Sequence, residues 1–146
     1  MVNTQFSNDE VFILDESKIF ELKKIALSHP LKRSRLCLHK DRNDPVQEMI
    51  IVAHKDSYIE PHRHPLNKPE SYHIIEGVLE VKIFSDQGQV IKNFFLGDSS
   101  NLKIYRIEGN IWHQPIPLSE WVIYHEVYTG PFDKDIDVTY MNDHTE

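Results

Sequence analysis

Two histidines, His62 and His64, lie one residue apart in the segment 61–77, PHRHPLNKPESYHIIEG. Side chains of a β-strand alternate between its two faces, so both imidazoles point the same way if this segment is extended. A neutral imidazole is a common ligand of divalent transition metals. An isolated pair of this kind is more often two surface histidines, or one core and one loop histidine. Further ligands are therefore needed before the pair indicates a metal site.

Glu70 and His113 supply those ligands. Glu70 follows a loop that contains Pro65 and Pro69, and a loop of this length can fold back and bring the carboxylate beside the imidazoles. His113 lies in a later predicted hairpin, and two antiparallel strands would place it across the interior from the pair. Three imidazoles and one carboxylate form a ligand set for one divalent metal ion. Fe, Mn, Ni, Co and Zn are not distinguished by this set.

The spacing resembles the first motif of the cupin superfamily, in which a His-x-His pair is followed by a short gap, a glutamate, six residues and a glycine. His62, His64, Glu70 and Gly77 match this pattern, although the gap before Glu70 is slightly longer than usual. Asp56 takes the place of a leading glycine, and aspartate is tolerated in turns. The resemblance implies that these ligands share one metal site.

The second cupin motif ends in Pro-x-Gly-x-x-His, and residues 108–113 take its place. Glu108 replaces the proline, and Asn110 replaces the glycine, with Gly109 one residue earlier. Asparagine adopts left-handed backbone more readily than most residues, so the turn can survive. His113 keeps its position, and the resemblance therefore implies that the ligand set is complete.

A wider resemblance to the WbuC-type cupin metalloproteins runs over roughly residues 20–135. The segments 31–65, 111–113 and 122–134 carry it. It implies a single cupin (jelly-roll-like) antiparallel β-barrel, a homodimer, and a role in bacterial O-antigen or lipopolysaccharide-type polysaccharide biosynthesis. The partner implied is a small polar molecule, a sugar or a sugar nucleotide. No established reaction comes with the resemblance.

A group of polar residues is predicted to bind the ligand. Arg33, Arg35 and His39 share parity on the first strand segment after the helix, and Gln47 lies on the next strand. The WbuC-type resemblance includes this arrangement. Forked donors at the barrel mouth could hold an anionic or hydroxylated ligand. The alternative is an exposed, solvated strand face.

Three further residues are candidates for catalysis beside the metal. Tyr72 shares parity with Glu70, and Tyr124 and Glu126 alternate with His125 on a later strand. Such groups could orient the metal ligands or transfer protons. The alternative is packing of the barrel wall around a paired carboxylate.

The elements that must position these residues are mostly strands. A helix is predicted over 16–28, capped by Asp15 or Ser17 and ended by His29-Pro30. A short strand is predicted at 11–14. From Arg33 onward, short runs rich in Val, Ile, Tyr and Phe alternate with turn residues and predict an antiparallel barrel or sandwich.

The predicted organisation is a lead-in and helix over residues 1–32, a cupin barrel over 33–132, and a loosely packed acidic tail over 133–146. A net charge of −7 in 146 residues lacks the broad basic surface that non-specific nucleic-acid binding needs. Neither a signal peptide nor a membrane span is expected, and the cytoplasm is the predicted compartment.

Three functions are compatible with these residues. The first is a metal-dependent enzyme acting on a sugar or sugar nucleotide, with isomerase or epimerase-like or dioxygenase-like chemistry. The second is a non-catalytic, metal-dependent saccharide-binding or regulatory domain. The third is a metal-free epimerase that uses His and Tyr as general acid and base. The third would not need the full ligand set.

Overall fold

The computed structural model describes residues 2–98 and 100–143, and within them it contains two β-sheets. The first sheet has the strand order β1 (Thr4–Phe6), β2 (Arg33–Cys37), β3 (Val46–His54), β10 (Trp121–Thr129), β5 (Glu70–Glu76) and β8 (Ile104–Ile107). The second has the order β11 (Thr139–Tyr140), β4 (His62–Arg63), β9 (Trp112–Pro117), β6 (Val78–Phe84) and β7 (Val90–Gly97). Within the described residues, neighbouring strands pair antiparallel except β1 and β2, which are parallel.

The two sheets share one core, since strands of both contribute to the same cluster of buried side chains. This cluster consists of Ile51, Tyr72, Leu79, Val81, Leu96, Val122 and Tyr124. Each fully buried apolar side chain stabilises the fold by about 1.5–3 kcal/mol. The mainly β, jelly-roll-like fold predicted from the sequence is confirmed, in the form of a two-sheet sandwich.

The predicted N-terminal helix is also confirmed, as α1 (Glu16–Ser28). Asp15 caps it by accepting a hydrogen bond from the backbone N–H of Lys18, at 2.8 Å. The fully buried Leu22 joins a second apolar cluster with residues of β2, β3 and β10, so the helix covers the outer face of the first sheet. Neither helix of the described residues is long and apolar enough to cross a membrane.

Two strands differ from the sequence prediction. Residues 11–14 form no strand, because Phe12 and Leu14 instead pack against the cluster beneath α1. Strand β9 contains Pro115 and Pro117. Proline has no backbone N–H to donate to a neighbouring strand, so these residues predicted a turn rather than a strand. Its neighbour β4 pairs with β9 only at His62, so a proline beyond that point interrupts no described ladder on that side.

The C-terminal segment is more ordered than the predicted loose tail. It forms α2 (Lys134–Asp137), β11 and a 3₁₀ turn over Met141–Asp143. Asp137 is only 1% exposed, and β11 pairs with β4. The polar composition of this segment predicted a loosely packed tail. Buried hydrogen bonds hold the segment in place instead. Residues 144–146 lie outside the described residues.

Candidate metal centre

The four predicted ligands are brought together by the second sheet and the start of β5. His62 on β4 is the direct cross-strand partner of His113 on β9. His64 is the residue directly after β4, and Glu70 is the first residue of β5 in the other sheet. The site therefore lies between the two sheets.

The ligand atoms converge on one point. One nitrogen or oxygen atom from each of the four side chains lies within 4.8 Å of all the others. Oε2 of Glu70 is 3.0 Å from Nε2 of His64, and its Oε1 is 2.7 Å from Nε2 of His113. Glu70 is 3% exposed and His113 is 1% exposed, so the site is shielded from bulk water.

Backbone carbonyls set the orientation of all three imidazoles. Nδ1 of His62 lies 2.8 Å from a carbonyl oxygen, that of His64 2.7 Å, and that of His113 2.9 Å. A carbonyl only accepts, so each Nδ1 carries the proton and donates it. The Nε2 atoms that face the centre are then the free metal-binding positions, as in most histidine metal sites.

Three atoms at the centre have no hydrogen-bond partner among residues 2–98 and 100–143. They are Nε2 of His64, Nε2 of His113 and Oε1 of Glu70. The carboxylate of Glu70 lies within ion-pair distance of both imidazoles, but the angles at these contacts are not those of hydrogen bonds. Buried polar atoms of this kind cost free energy unless something binds them. The donor set and these orphaned atoms fit one divalent cation, which His62, His64, Glu70 and His113 would hold.

Without a cation, the charges of the site perturb one another. Burial, with the neighbouring His113, lowers the pKa of His62 to about 3, so its imidazole is neutral. Burial also opposes charging of His64, but its 3.0 Å contact with the negatively charged Glu70 carboxylate outweighs burial and raises its pKa to about 9. The pKa of Glu70 is lowered: burial would raise it, but His113 and His64 stabilise the carboxylate.

Metal affinity is expected to increase with pH. Below a pKa of about 9, His64 holds a proton that a metal must displace, so affinity should rise about tenfold per pH unit between pH 6 and pH 8. His62, with a pKa of about 3, adds no such dependence in this range. A competition titration with a chromophoric chelator, at several pH values, measures it. A dissociation constant that is flat over this range would contradict the assignment.

The altered second motif preserves the site through a close backbone contact. A Cβ atom on Gly109 would lie 1.9 Å from the carbonyl oxygen of Pro65, so only glycine fits there. Asn110 has φ +66°, the left-handed conformation expected from the sequence, and its N–H donates to the carbonyl of His64 at 2.7 Å. The loop before His113 is thus joined directly to the loop that carries His64.

A cavity of about 680 Å³ opens beside the candidate metal centre. Its size falls within the usual range for small-ligand sites. Three of the ligands line it: His62, His64 and Glu70. All seven of the other predicted site residues line the same cavity: Arg33, Arg35, His39, Gln47, Tyr72, Tyr124 and Glu126.

The predicted ligand-binding residues are not equally free to bind. The amide of Gln47 donates to backbone carbonyls of the loop 41–44, and Arg33 donates to Ser57 Oγ and to the carbonyl of Tyr58. Nδ1 of His39 lies 2.9 Å from the backbone nitrogen of Glu48. Arg35, in contrast, has no hydrogen bond or ion pair from its guanidinium to any residue that the structure describes. Arg35 is therefore the most available cation among the predicted ligand-binding residues.

Glu126 and the two tyrosines form the polar wall above the site. Burial, reinforced by the charge of Glu70, raises the pKa of Glu126 to about 7. Burial also raises the pKa values of Tyr72 and Tyr124 well above normal. The tyrosine hydroxyls therefore stay protonated, whereas Glu126 can exchange a proton near neutral pH.

Sequence reasoning missed one set of residues, which lies behind His64. The carbonyl of Asp137 is the partner of His64 Nδ1, and its carboxylate is bound by Tyr128 and Lys68. A backbone carbonyl has no sequence signal. The aspartates 135 and 137 in the predicted tail were the available sequence signal for this contact. Such a pair is equally typical of a solvent-exposed segment.

Comparison with known proteins adds a family and a fold. The family model described as "Domain of unknown function (DUF6016)" matches residues 14–96. No curated protein sequence matches the chain significantly.

Similar solved structures include two enzymes and the protein KdgF. An oxalate oxidase in complex with the substrate analogue glycolate has a TM-score of 0.58 and 15% identity, over 77% of this chain and 57% of that one. The L-ribose isomerase of Cellulomonas parahominis, with L-psicose, has a TM-score of 0.58 and 12% identity, over 75% and 69%. KdgF from Halomonas sp. has a TM-score of 0.54 and 11% identity, over 74% and 86%.

These neighbours are cupin-fold proteins, so the cupin fold that the motif spacing implied is confirmed. Their low identities establish the fold alone. Some similar chains are much longer: this chain spans 23% of procruciferin from Brassica napus.

Proposed function

This chain belongs to the family described as "Domain of unknown function (DUF6016)", and we propose that it binds one divalent metal ion and, beside it, a small anionic, hydroxylated molecule. The metal ligands are His62, His64, Glu70 and His113. The observation that carries the proposal is their convergence: three imidazoles and one carboxylate bring their ligand atoms to a single buried point that opens on a cavity.

Arg35 supports an anionic ligand. Its guanidinium lines the cavity and makes no hydrogen bond or ion pair within the described residues, and an arginine fork is suited to a carboxylate or phosphate. The protonated hydroxyls of Tyr72 and Tyr124 add donors suited to hydroxyl groups. A sugar acid or a sugar phosphate combines both features.

Similar structures support this class of ligand. The L-ribose isomerase was solved with a sugar, L-psicose, and the oxalate oxidase with a hydroxy acid, glycolate. The WbuC-type resemblance extends the proposal to a sugar or sugar nucleotide of O-antigen or lipopolysaccharide-type polysaccharide biosynthesis. We further propose that the protein works in the cytoplasm as a homodimer.

If the protein is an enzyme, Glu126 is the residue proposed to move protons. A bound divalent metal would supply Lewis-acid polarisation of a substrate oxygen. Glu126 has a pKa of about 7 and lies in the wall of the same cavity, so it can take or return a proton near neutral pH. Tyr72 and Tyr124 would orient the substrate as hydrogen-bond donors. Isomerase or epimerase-like chemistry uses such a group directly, and dioxygenase-like chemistry is the alternative.

A non-catalytic, metal-dependent saccharide-binding role is the second candidate. The tyrosines favour it, because hydroxyls held protonated by burial bind well but serve poorly as bases. The same observation disfavours a metal-free epimerase in which tyrosine acts as the base. His62, neutral above a pKa of about 3, would also be a poor acid.

Arg35→Met is expected to weaken binding of the anionic ligand. Losing a charge-assisted hydrogen bond costs about 1.5–3 kcal/mol, which is about 10–100-fold in the dissociation constant. The measurement is a thermal-shift screen of the metal-loaded protein against neutral sugars, uronic acids, sugar phosphates and nucleotide sugars, followed by calorimetry. Arg106→Met, an exposed arginine on the edge strand β8, is the matched control.

The screen also separates the candidate functions. A preference for neutral sugars that Arg35→Met leaves unchanged would contradict the anionic class. NMR of each binding compound after incubation tells whether it is recovered unchanged. Turnover that Glu126→Gln abolishes supports the enzyme, whereas unchanged recovery of a tight ligand supports the binding role.

A further inference from the structure

His64 is oriented differently from the other two imidazoles. Those two contact the carbonyl of the residue two positions before them in the chain. Nδ1 of His64 instead lies 2.7 Å from the carbonyl oxygen of Asp137, 73 residues away. One candidate ligand therefore takes its orientation from a remote segment, residues 131–143, which we call the C-terminal strap.

The carboxylate of Asp137 fixes the strap at this point. Oδ1 accepts a hydrogen bond from the hydroxyl of Tyr128 at 2.6 Å and forms an ion pair with Nζ of Lys68 at 2.7 Å. Oδ2 accepts from the backbone N–H of Asp133 at 2.6 Å, which closes the turn of α2. Asp137 is 1% exposed, so these bonds form away from water. Together they fix the position of the Asp137 carbonyl.

The strap is anchored on both sides of this contact. Before it, Lys68 also donates to the carbonyl of Pro131, at 2.5 Å. After it, β11 pairs with β4, and Tyr140 lies opposite the ligand His62. The N–H of Met141 then donates to the carbonyl of Pro61, at 3.0 Å. The strap thus follows the two-histidine segment along its length.

We propose that Asp137 is a positioning residue for metal binding, which holds its own carbonyl against His64 through the bonds of its carboxylate to Lys68, Tyr128 and Asp133. This inference rests on the proposed metal site. The strap thereby becomes part of the centre, although it contributes no ligand atom.

Stability alone is a weak reason for this arrangement. Burying a carboxylate and an ammonium group costs several kcal/mol of desolvation, which their attraction only roughly offsets. A tail held by apolar contacts would be simpler to stabilise. The buried pair does, however, define one geometry, because each carboxylate oxygen has fixed donors. That geometry determines where Nε2 of His64 points.

Asp137→Asn is the first test. The amide replaces one acceptor oxygen by a donor and removes the charge that pairs with Lys68, so the carbonyl should shift. We expect the dissociation constants for Co²⁺ and Zn²⁺, measured by chelator competition, to rise at least about tenfold, as for other partners of metal-bound histidines. The visible spectrum of the Co²⁺ form should change as well. Asp135→Asn, the same substitution at an exposed position of α2, is the control.

Two further variants keep the test informative if Asp137→Asn folds poorly. Tyr128→Phe removes one hydroxyl donor and should weaken metal binding by a smaller factor. Lys68→Met should weaken it, and Lys68→Arg, which keeps a charged donor, should restore affinity to within about threefold of wild type. Rescue by arginine is not expected if residue 68 only fills space.

The outcomes separate this inference from the metal site itself. Failure of wild type and Asp135→Asn to bind either metal would overturn both proposals. Binding by Asp137→Asn and Lys68→Met as tight as that of Asp135→Asn would overturn the positioning role and leave the metal site standing. If the metal-free variants melt at a lower temperature but bind metal with unchanged affinity, Asp137 stabilises the fold and does not position His64.

Discussion

Glu70→Gln is expected to abolish tight metal binding, with a dissociation constant more than about 100-fold above that of wild type. Substitution of residues that only hydrogen-bond to metal ligands already lowers metal affinity by about 10–100-fold, and loss of a ligand should lower it more. Glu70 is the one anionic ligand, and both of its oxygens face imidazoles of the site. Glutamine keeps the shape but offers one oxygen and loses the charge that a divalent cation needs. Inductively coupled plasma mass spectrometry of the purified protein and chelator competition measure the effect.

Glu76→Gln is the matched control, because Glu76 lies on the same strand but pairs with Lys23 at the surface. It should bind metal as wild type does. Stoichiometric metal in Glu70→Gln, with affinity within threefold of wild type, would show that the ion sits elsewhere.

Gly109→Ala is expected to destabilise the fold and the metal site together. A Cβ atom would lie 1.9 Å from the carbonyl of Pro65 and 2.7 Å from backbone of Leu66, so the loops that carry His64 and His113 must separate. Backbone cannot give way as a flexible side chain can. We expect a loss of about 3 kcal/mol, the upper end for overpacking, and a melting temperature lower by about 10 °C.

Gly88→Ala controls for the general cost of replacing glycine. Gly88 has φ +82° but open space around it, with the nearest atom 3.7 Å from the added Cβ. Strain of the left-handed backbone should cost about 1–2 kcal/mol without changing metal affinity. Equal effects of the two substitutions on metal affinity would contradict the view that Gly109 holds the two motifs together.

The convergence of the four candidate ligands could be predicted because its signal lies in a sequence spacing that only a few folds explain. Alternation along a strand places His62 and His64 toward one face, and the structure finds their Nε2 atoms at one point with Glu70 and His113. The tolerance of Asn110 for positive φ was likewise a property of the residue type. Arg35 and Glu126 were predicted in separate groups, and both line the same cavity.

The parts that could not be predicted depend on contacts between distant segments. Gln47 and Arg33 looked as free as Arg35, but bonds to neighbouring loops occupy them. Strand β9 was not predicted because its prolines are typical of loops. Its pairing with β6, which the sequence does not show, makes it a strand. The ordered C-terminal strap was not predicted because specific hydrogen bonds hold Asp137 in place, and a polar composition does not reveal such bonds.

The use of main-chain carbonyls behind all three imidazoles makes the centre robust to evolutionary change. Asp137 also needs its carboxylate to hold its carbonyl, but every residue type presents a carbonyl, so substitutions at Glu60 or Ile111 leave the acceptor in place as long as the chain keeps its path. Related chains can therefore vary at these positions and keep the same site. Insertions or deletions that shift the backbone by one residue should be much more harmful than most point changes there.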